Sequence, residues 1–176
     1  MRGLVVVFMV MAGAAMAQDG EMPVLDPSLL ETCLDNASLR AEQGEERDAE
    51  SCIGVAAEQC MEGEGGYSSY GMFRCLQQEA DLWDARLNDA YSALMASAKR
   101  MDREAAEEDS PAGEQAPLLK DMQKRWIEFR DAACSYEYSR WGMGSGRIPA
   151  GENCHMTLTA RQAIWLEEYR REDGGN

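Results

Sequence analysis

An uninterrupted helical stripe constrains this chain more than any other feature. Between residues 73 and 101 apolar side chains fall at Phe73, Leu76, Ala80, Trp83, Leu87, Ala90, Leu94 and Met101. Steps of three, four and seven keep them on one face of a helix. No Gly or Pro interrupts the run. Gln77, Gln78, Glu79, Asp81, Asp84, Arg86, Asn88 and Asp89 lie between those positions. The opposite face therefore reads as solvated, and the helix needs partners on one side only.

The rest of the chain offers those partners. A second stripe, Leu119, Met122, Trp126, Phe129, Ala133 and Tyr136, follows Pro117, which suits a first helical turn. It is expected to pack antiparallel on the first. Between the two stripes, residues 102–116 are acidic and broken by Pro111 and Gly113. Asp102, Glu104, Glu107, Glu108 and Asp109 lack the alternate spacing and central Gly of a calcium loop, so they read as a solvated excursion. A Gly-rich loop at 142–147, then Pro149 and Gly151, leads to a last helix expected over about 154–171, with Leu158, Trp165 or Leu166, and Tyr169 as its apolar contacts. Upstream, a helix over about 28–40 carries Leu29, Leu30, Cys33 and Leu34, with Asp26 or Ser28 as its cap. An acidic turn around Gly44 separates it from a second helix over about 47–61, which carries Ile53, Val55, Ala56 and Cys60 and stops at Gly63. No alternating β pattern is present. The fold class is all-α: a small disulfide-stapled bundle of about five helices with antiparallel helix hairpins.

Residues 1–17 read as a secretory signal peptide, with Arg2, an apolar run over 4–11 and the small-x-small end Ala15-Met16-Ala17. That run is too short to span a bilayer, and no Cys stands at the cleavage point to take a lipid. The expected domain plan is an extended tether at 18–27 and one helical domain at 28–176. Export makes the six Cys disulfide partners rather than zinc thiolates. Each neighbouring pair straddles a turn: Cys33 and Cys52 about Gly44, Cys60 and Cys75 about the 63–70 loop, Cys134 and Cys154 about Gly144. Residues equally far from a helix-hairpin turn lie side by side, so sequential pairing is expected.

With Lys and Arg at 17 against Asp and Glu at 32, the net charge is −15. Nucleic acid and anionic lipid are therefore disfavoured as partners, and cationic proteins favoured. Catalysis finds little support. His155 is the single His and adjoins a Cys expected to be oxidised, which leaves no Ser-His-Asp or Cys-His arrangement. No catalytic residue, metal ligand or cofactor is assigned.

Three motifs appear in order: Leu87-Asn88 with Tyr91; Gln123 and Trp126 with Phe129-Arg130-Asp131 and Cys134; and Cys154 with Thr159. In this combination, over about residues 73–170, the chain resembles the LprI-like lysozyme-inhibitor family of small exported helical domains. The resemblance, taken with the acidic charge, implies a non-catalytic binding module whose partner is a cationic protein such as a lysozyme; the module is expected to be a monomer. The other reading is a structural or interaction domain of the cell envelope with another protein partner. The family pattern carries Arg three residues after the closing Thr; here Gln162 stands there, beside Arg161. The extension at 28–70, with Cys33, Cys52 and Cys60, has no counterpart in the pattern.

Asn88, Tyr91, Gln123, Trp126, Arg130, Asp131, Thr159 and Gln162 sit at helical spacings on or beside the seams. They read as a structural polar cluster that fixes helix register or, alternatively, as a pocket with Trp126 as wall and Arg130 as anion anchor. Partner binding is assigned to the braced 142–147 loop: Trp141 for apolar contact, Ser145 and Gly amides for hydrogen bonds, and Arg147 to pair with a carboxylate in a lysozyme cleft. The plainer alternative is a turn between two helices.

Overall fold

In the computed structural model, which describes residues 23–45, 48–111 and 113–174, the chain forms α1 (Ser28–Glu42), a 3-10 turn (Glu50–Cys52), α2 (Val55–Met61), α3 (Ser69–Glu107), α4 (Gln115–Arg140) and α5 (Arg147–Gly174). Among the described residues there is no strand, so the all-α expectation holds. No described helix is long and apolar enough to cross a membrane. The signal segment expected at 1–17 and the first residues of the expected tether lie outside the described residues.

The stripe on α3 organises the core. Leu76, Ala80, Trp83, Leu87, Ala90 and Leu94 are buried, and Ala98 continues the line. Phe73 is only half-buried and Met101 is exposed, so the buried stretch is shorter than the stripe. Ser68 starts the helix: its hydroxyl accepts from the Gly71 N–H at 2.9 Å. The most extensive partner of α3 is α5, with α2 and α4 contributing less. The expected packing of α4 on α3 is present, but it is less extensive than that of α5. α3 and α5 run side by side in one direction, since Phe73 and Ile148 share a groove near their starts while Arg86 pairs with Glu167 further along.

Disulfides set the hairpins. Cys33 is bonded to Cys52, Cys60 to Cys75 and Cys134 to Cys154, with Cα atoms 5.7, 5.7 and 5.4 Å apart. Closing loops of 19, 15 and 20 residues, each removes about 3 kcal/mol of unfolded-state freedom in the chain-entropy view. The Cys60–Cys75 and Cys134–Cys154 bridges make α2 antiparallel to α3 and α4 antiparallel to α5.

Two segments depart from the expected boundaries, and α4 and α5 depart in which side chains they bury. The helix expected over 47–61 is split at Gly54, whose φ of +95° suits glycine and turns its N–H toward α3. The last helix begins at Arg147 rather than near 154, because Pro149 is tolerated in a first turn and Gly151 packs on Tyr138. On α4, Phe129 and Tyr136 are 61% and 69% exposed. The α4–α5 bridge rotates the helix so that Gln123, Arg130 and Cys134 face inward instead. On α5, Leu166 is buried while Trp165 and Tyr169 remain exposed, and Leu158 is half-buried.

Carboxylates close several helix starts. The Asp26 carboxylate accepts from Ser28 N–H at 2.9 Å, and the Ser28 hydroxyl first, then this N–H, hold its pKa below the usual range. Asp102, read above as part of a solvated run, caps α4 across the loop, accepting from the N–H groups of Gln115 and Ala116 at 2.6 and 2.9 Å. Glu79 corrects the solvated-face reading most sharply. It is wholly buried, and its carboxylate accepts from Gly54 N–H at 2.6 Å, Ala57 N–H at 2.7 Å and Trp83 Nε1–H at 3.0 Å. One side chain thus satisfies two orphan donors at the start of α2 and the central indole. Just upstream, Leu25 is buried against α3: its N–H donates to Gln78 Oε1, and Gln78 Nε2 donates to the Pro23 carbonyl, both at 3.2 Å.

Candidate binding surface at the turn between α4 and α5

The turn from Trp141 to Gly146 is held by its own geometry. Gly142 and Gly144 N–H donate to the Ser139 and Trp141 carbonyls at 3.1 and 3.0 Å. These two amides are spent inside the turn, so they are not free to reach a partner as expected. The Trp141 indole lies across Gly146, where a Cβ would sit 2.8 Å from the ring. Its Nε1–H donates to Glu137 at 3.3 Å, and Arg140 donates to the same carboxylate at 2.7 Å. Arg140 first, then Trp141, hold the Glu137 pKa below the usual carboxylate range. One face of Trp141 is thus fixed while the side chain stays 53% exposed, beside Met143 at 88%.

Ser145 is exposed on this turn. Arg147 is not extended: as the first residue of α5, it places its guanidinium 5.2 Å from the Tyr138 ring centre and donates to Met143 Sδ at 3.8 Å. Phe129, Ala133, Trp141 and Leu158 line a groove of about 470 Å³ along the outer α4–α5 face, beside the Cys134–Cys154 bridge. Exposed aromatic side chains around a braced groove are the composition of a protein-contact surface.

The eight cluster residues separate into four places. Gln162 Nε2 donates to Gln123 Oε1 at 3.0 Å in the interior, beside wholly buried Thr159. Arg130 stacks 5.0 Å over Trp126 and donates through Nε and Nη2 to Asp131 at 3.0 and 2.9 Å. That guanidinium is therefore already engaged where the anion-anchor reading needed it open. Tyr91 packs partly buried against the core. Asn88 lies outside the group, exposed, with Nδ2 donating to Asp84 at 2.8 Å.

Sequence reasoning missed Glu79 and Met143. Glu79 carried a signal, because it stands three residues after Leu76 and four before Trp83, inside the apolar stripe. Met143 carried none, since exposure in a loop depends on what packs beside it.

The fold and surface define a disulfide-braced helical module that presents an apolar turn. Comparison with known proteins gives its family: the model of "Lysozyme inhibitor LprI" matches residues 60–166, and the chain belongs to this family. Among curated relatives, an uncharacterized 17.7 kDa protein in the puhA 5′ region of Rhodobacter capsulatus is 29% identical over 139 residues, 77% of this chain and 80% of that protein. The uncharacterized protein YecT of Escherichia coli (strain K12) is 31% identical over 103 residues, 56% of this chain and 62% of its own length. No solved structure matches significantly.

Proposed function

We propose that this chain is an exported, monomeric inhibitor of a cationic lysozyme-type protein and that the α4–α5 turn is its contact surface. The observation that carries the reading is the half-exposed Trp141, its indole set across Gly146 and hydrogen-bonded to Glu137, in a member of a lysozyme-inhibitor family. An anchor held in place before binding loses little freedom on docking. The leader-like residues 1–17 and disulfides that persist in an oxidising compartment support export, with the mature chain in the periplasm or outside the cell as the proposed location.

In this reading Trp141 and Met143 supply apolar contact and Ser145 hydrogen bonds. Arg147 swings off Tyr138, giving up a cation–π contact worth about 0.5–1 kcal/mol, to meet a carboxylate in the enzyme's cleft. The net charge of −15 steers encounter with a basic enzyme. A turbidity assay with a cationic lysozyme and excess protein tests this. Inhibition should weaken by about 2 kcal/mol or more in Trp141→Ala, and by about 2–5 kcal/mol in Arg147→Glu, with helicity unchanged. No inhibition by the parent chain at low salt returns the reading to an envelope interaction domain. Inhibition unaffected by Trp141→Ala moves the contact away from this turn.

A further inference from the structure

A second groove of about 470 Å³ opens on the other side of the Cys134–Cys154 bridge, between the start of α3, the end of α4 and the start of α5. Phe73, Tyr138 and Ile148 form its apolar walls, and Asp131, Glu152 and His155 its polar end. Gly151 lies on its lining and adds no side chain; a Cβ there would press to 3.3 Å from Tyr138.

We propose that this groove receives one basic side chain, lysine or arginine, presented by a protein partner. Its apolar walls suit an aliphatic stem, and its polar end suits the charged head that such a stem carries. Glu152 and His155 are half-buried, and neither side chain has a hydrogen bond or ion pair among the described residues. The charges around them are predominantly acidic. Asp81 of α3 acts on Glu152, while Asp84 of α3 and Asp131 and Arg130 of α4 act on His155. Arg130 is the one cation of this set, and it is already bound to Asp131. A half-buried carboxylate with another carboxylate nearby is costly without a counter-charge, and an ammonium or guanidinium held in the groove at Glu152 relieves that cost. The titration behaviour agrees. Burial, then Asp81, holds Glu152 above the usual carboxylate range; burial, then Arg130, holds His155 below its usual value. A cation favours deprotonated Glu152 and neutral His155, so binding should strengthen as pH rises and weaken on acidification, when Glu152 gains a proton and His155 a charge.

The proposal goes beyond the lysozyme reading and does not rest on it, because its test uses no lysozyme. His155 is the single histidine of the chain, so its ring carbon signals in a ¹³C-edited NMR spectrum report this groove alone. The mature chain is titrated with Nα-acetyl-arginine amide and Nα-acetyl-lysine amide, with uncharged Nα-acetyl-norleucine amide as control. The expected result is a saturable His155 shift with both cations and none with norleucine. The apparent affinity should fall about tenfold or more in Glu152→Gln and several-fold in Asp131→Asn, and should be weaker near pH 5 than near pH 7.5. Absence of a shift at tens of millimolar ligand, an equal response to norleucine, or unchanged affinity in both variants would overturn it.

Discussion

Two layers cover the α3–α5 pair, and they are built on different terms. On one side α1, the 3-10 turn and α2 carry two disulfides, buried Leu30, Leu34, Ala56 and Ala57, and a clamp in which one carboxylate, Glu79, holds the start of α2. On the other side α4 buries only Gln123 and Cys134 fully, meets α5 through the Gln123–Gln162 amide pair and one disulfide, and leaves Phe129, Tyr136 and Trp141 to solvent. The first layer is finished by packing, and the second is left open. Where apolar side chains on one face are already covered, the layer serves stability; where a rigid bridge holds them uncovered, they are available to a partner. The family match, residues 60–166, takes in α3, α4 and most of α5, so the open layer lies inside the shared region and nearly all of the closed one outside it. We propose that residues 28–176 form a single domain in which the N-terminal layer stiffens the scaffold beneath the proposed contact surface.

This contrast can be broken by measurement. The largest effect belongs to Trp83→Ala, which removes a side chain 1% exposed at the meeting of both layers and should cost about 3–5 kcal/mol in chemical denaturation. Next comes Glu79→Ala, which orphans three buried donors at about 1–3 kcal/mol each and should cost about 3 kcal/mol or more. A loss below about 1 kcal/mol would mean that the α2 clamp is not what closes the first layer. On the open side the costs should be smaller. Trp126→Ala, half-buried under Arg130, should cost about 1–2 kcal/mol, and exposed Phe129→Ala should stay within about 0.5 kcal/mol. If Phe129→Ala destabilises as much as Trp83→Ala, the two layers do not differ as described.

The smallest effect is a matter of sign. A carboxyl whose folded pKa lies above its ordinary value of 4.5 contributes no destabilisation well below that pH, and an increasing one as pH rises through the folded pKa. Glu152→Gln should therefore leave stability unchanged near pH 3 and raise it slightly near pH 7. Thermal melts of both proteins at the two pH values, compared as differences, check the direction.

How much of this was legible in the residues depends on the range of the interaction responsible. The all-α class, the central helix and the buried line from Leu76 to Leu94 follow from spacing along one helix. The identity of the family likewise followed from three motifs in order, because motif order is a property of the chain itself. Glu79 was misread because charge was taken as a sign of solvent, although its position within the stripe pointed inward. Asp102 was misread for a different reason. The helix start it caps is 13 residues away, and no local pattern connects the two.

The sequence by itself therefore determined the helical class and the central helices, and with them which of their residues share a face, since helical period is a local property of the backbone. Tertiary structure alone decided which face of α4 turns inward, that α5 rather than α4 is the chief partner of α3, and that Trp141 lies pinned over Gly146. An apolar stripe states only that burial is favourable and does not name the partner. That choice is made when helices compete for the same surface under the geometry that the disulfides permit.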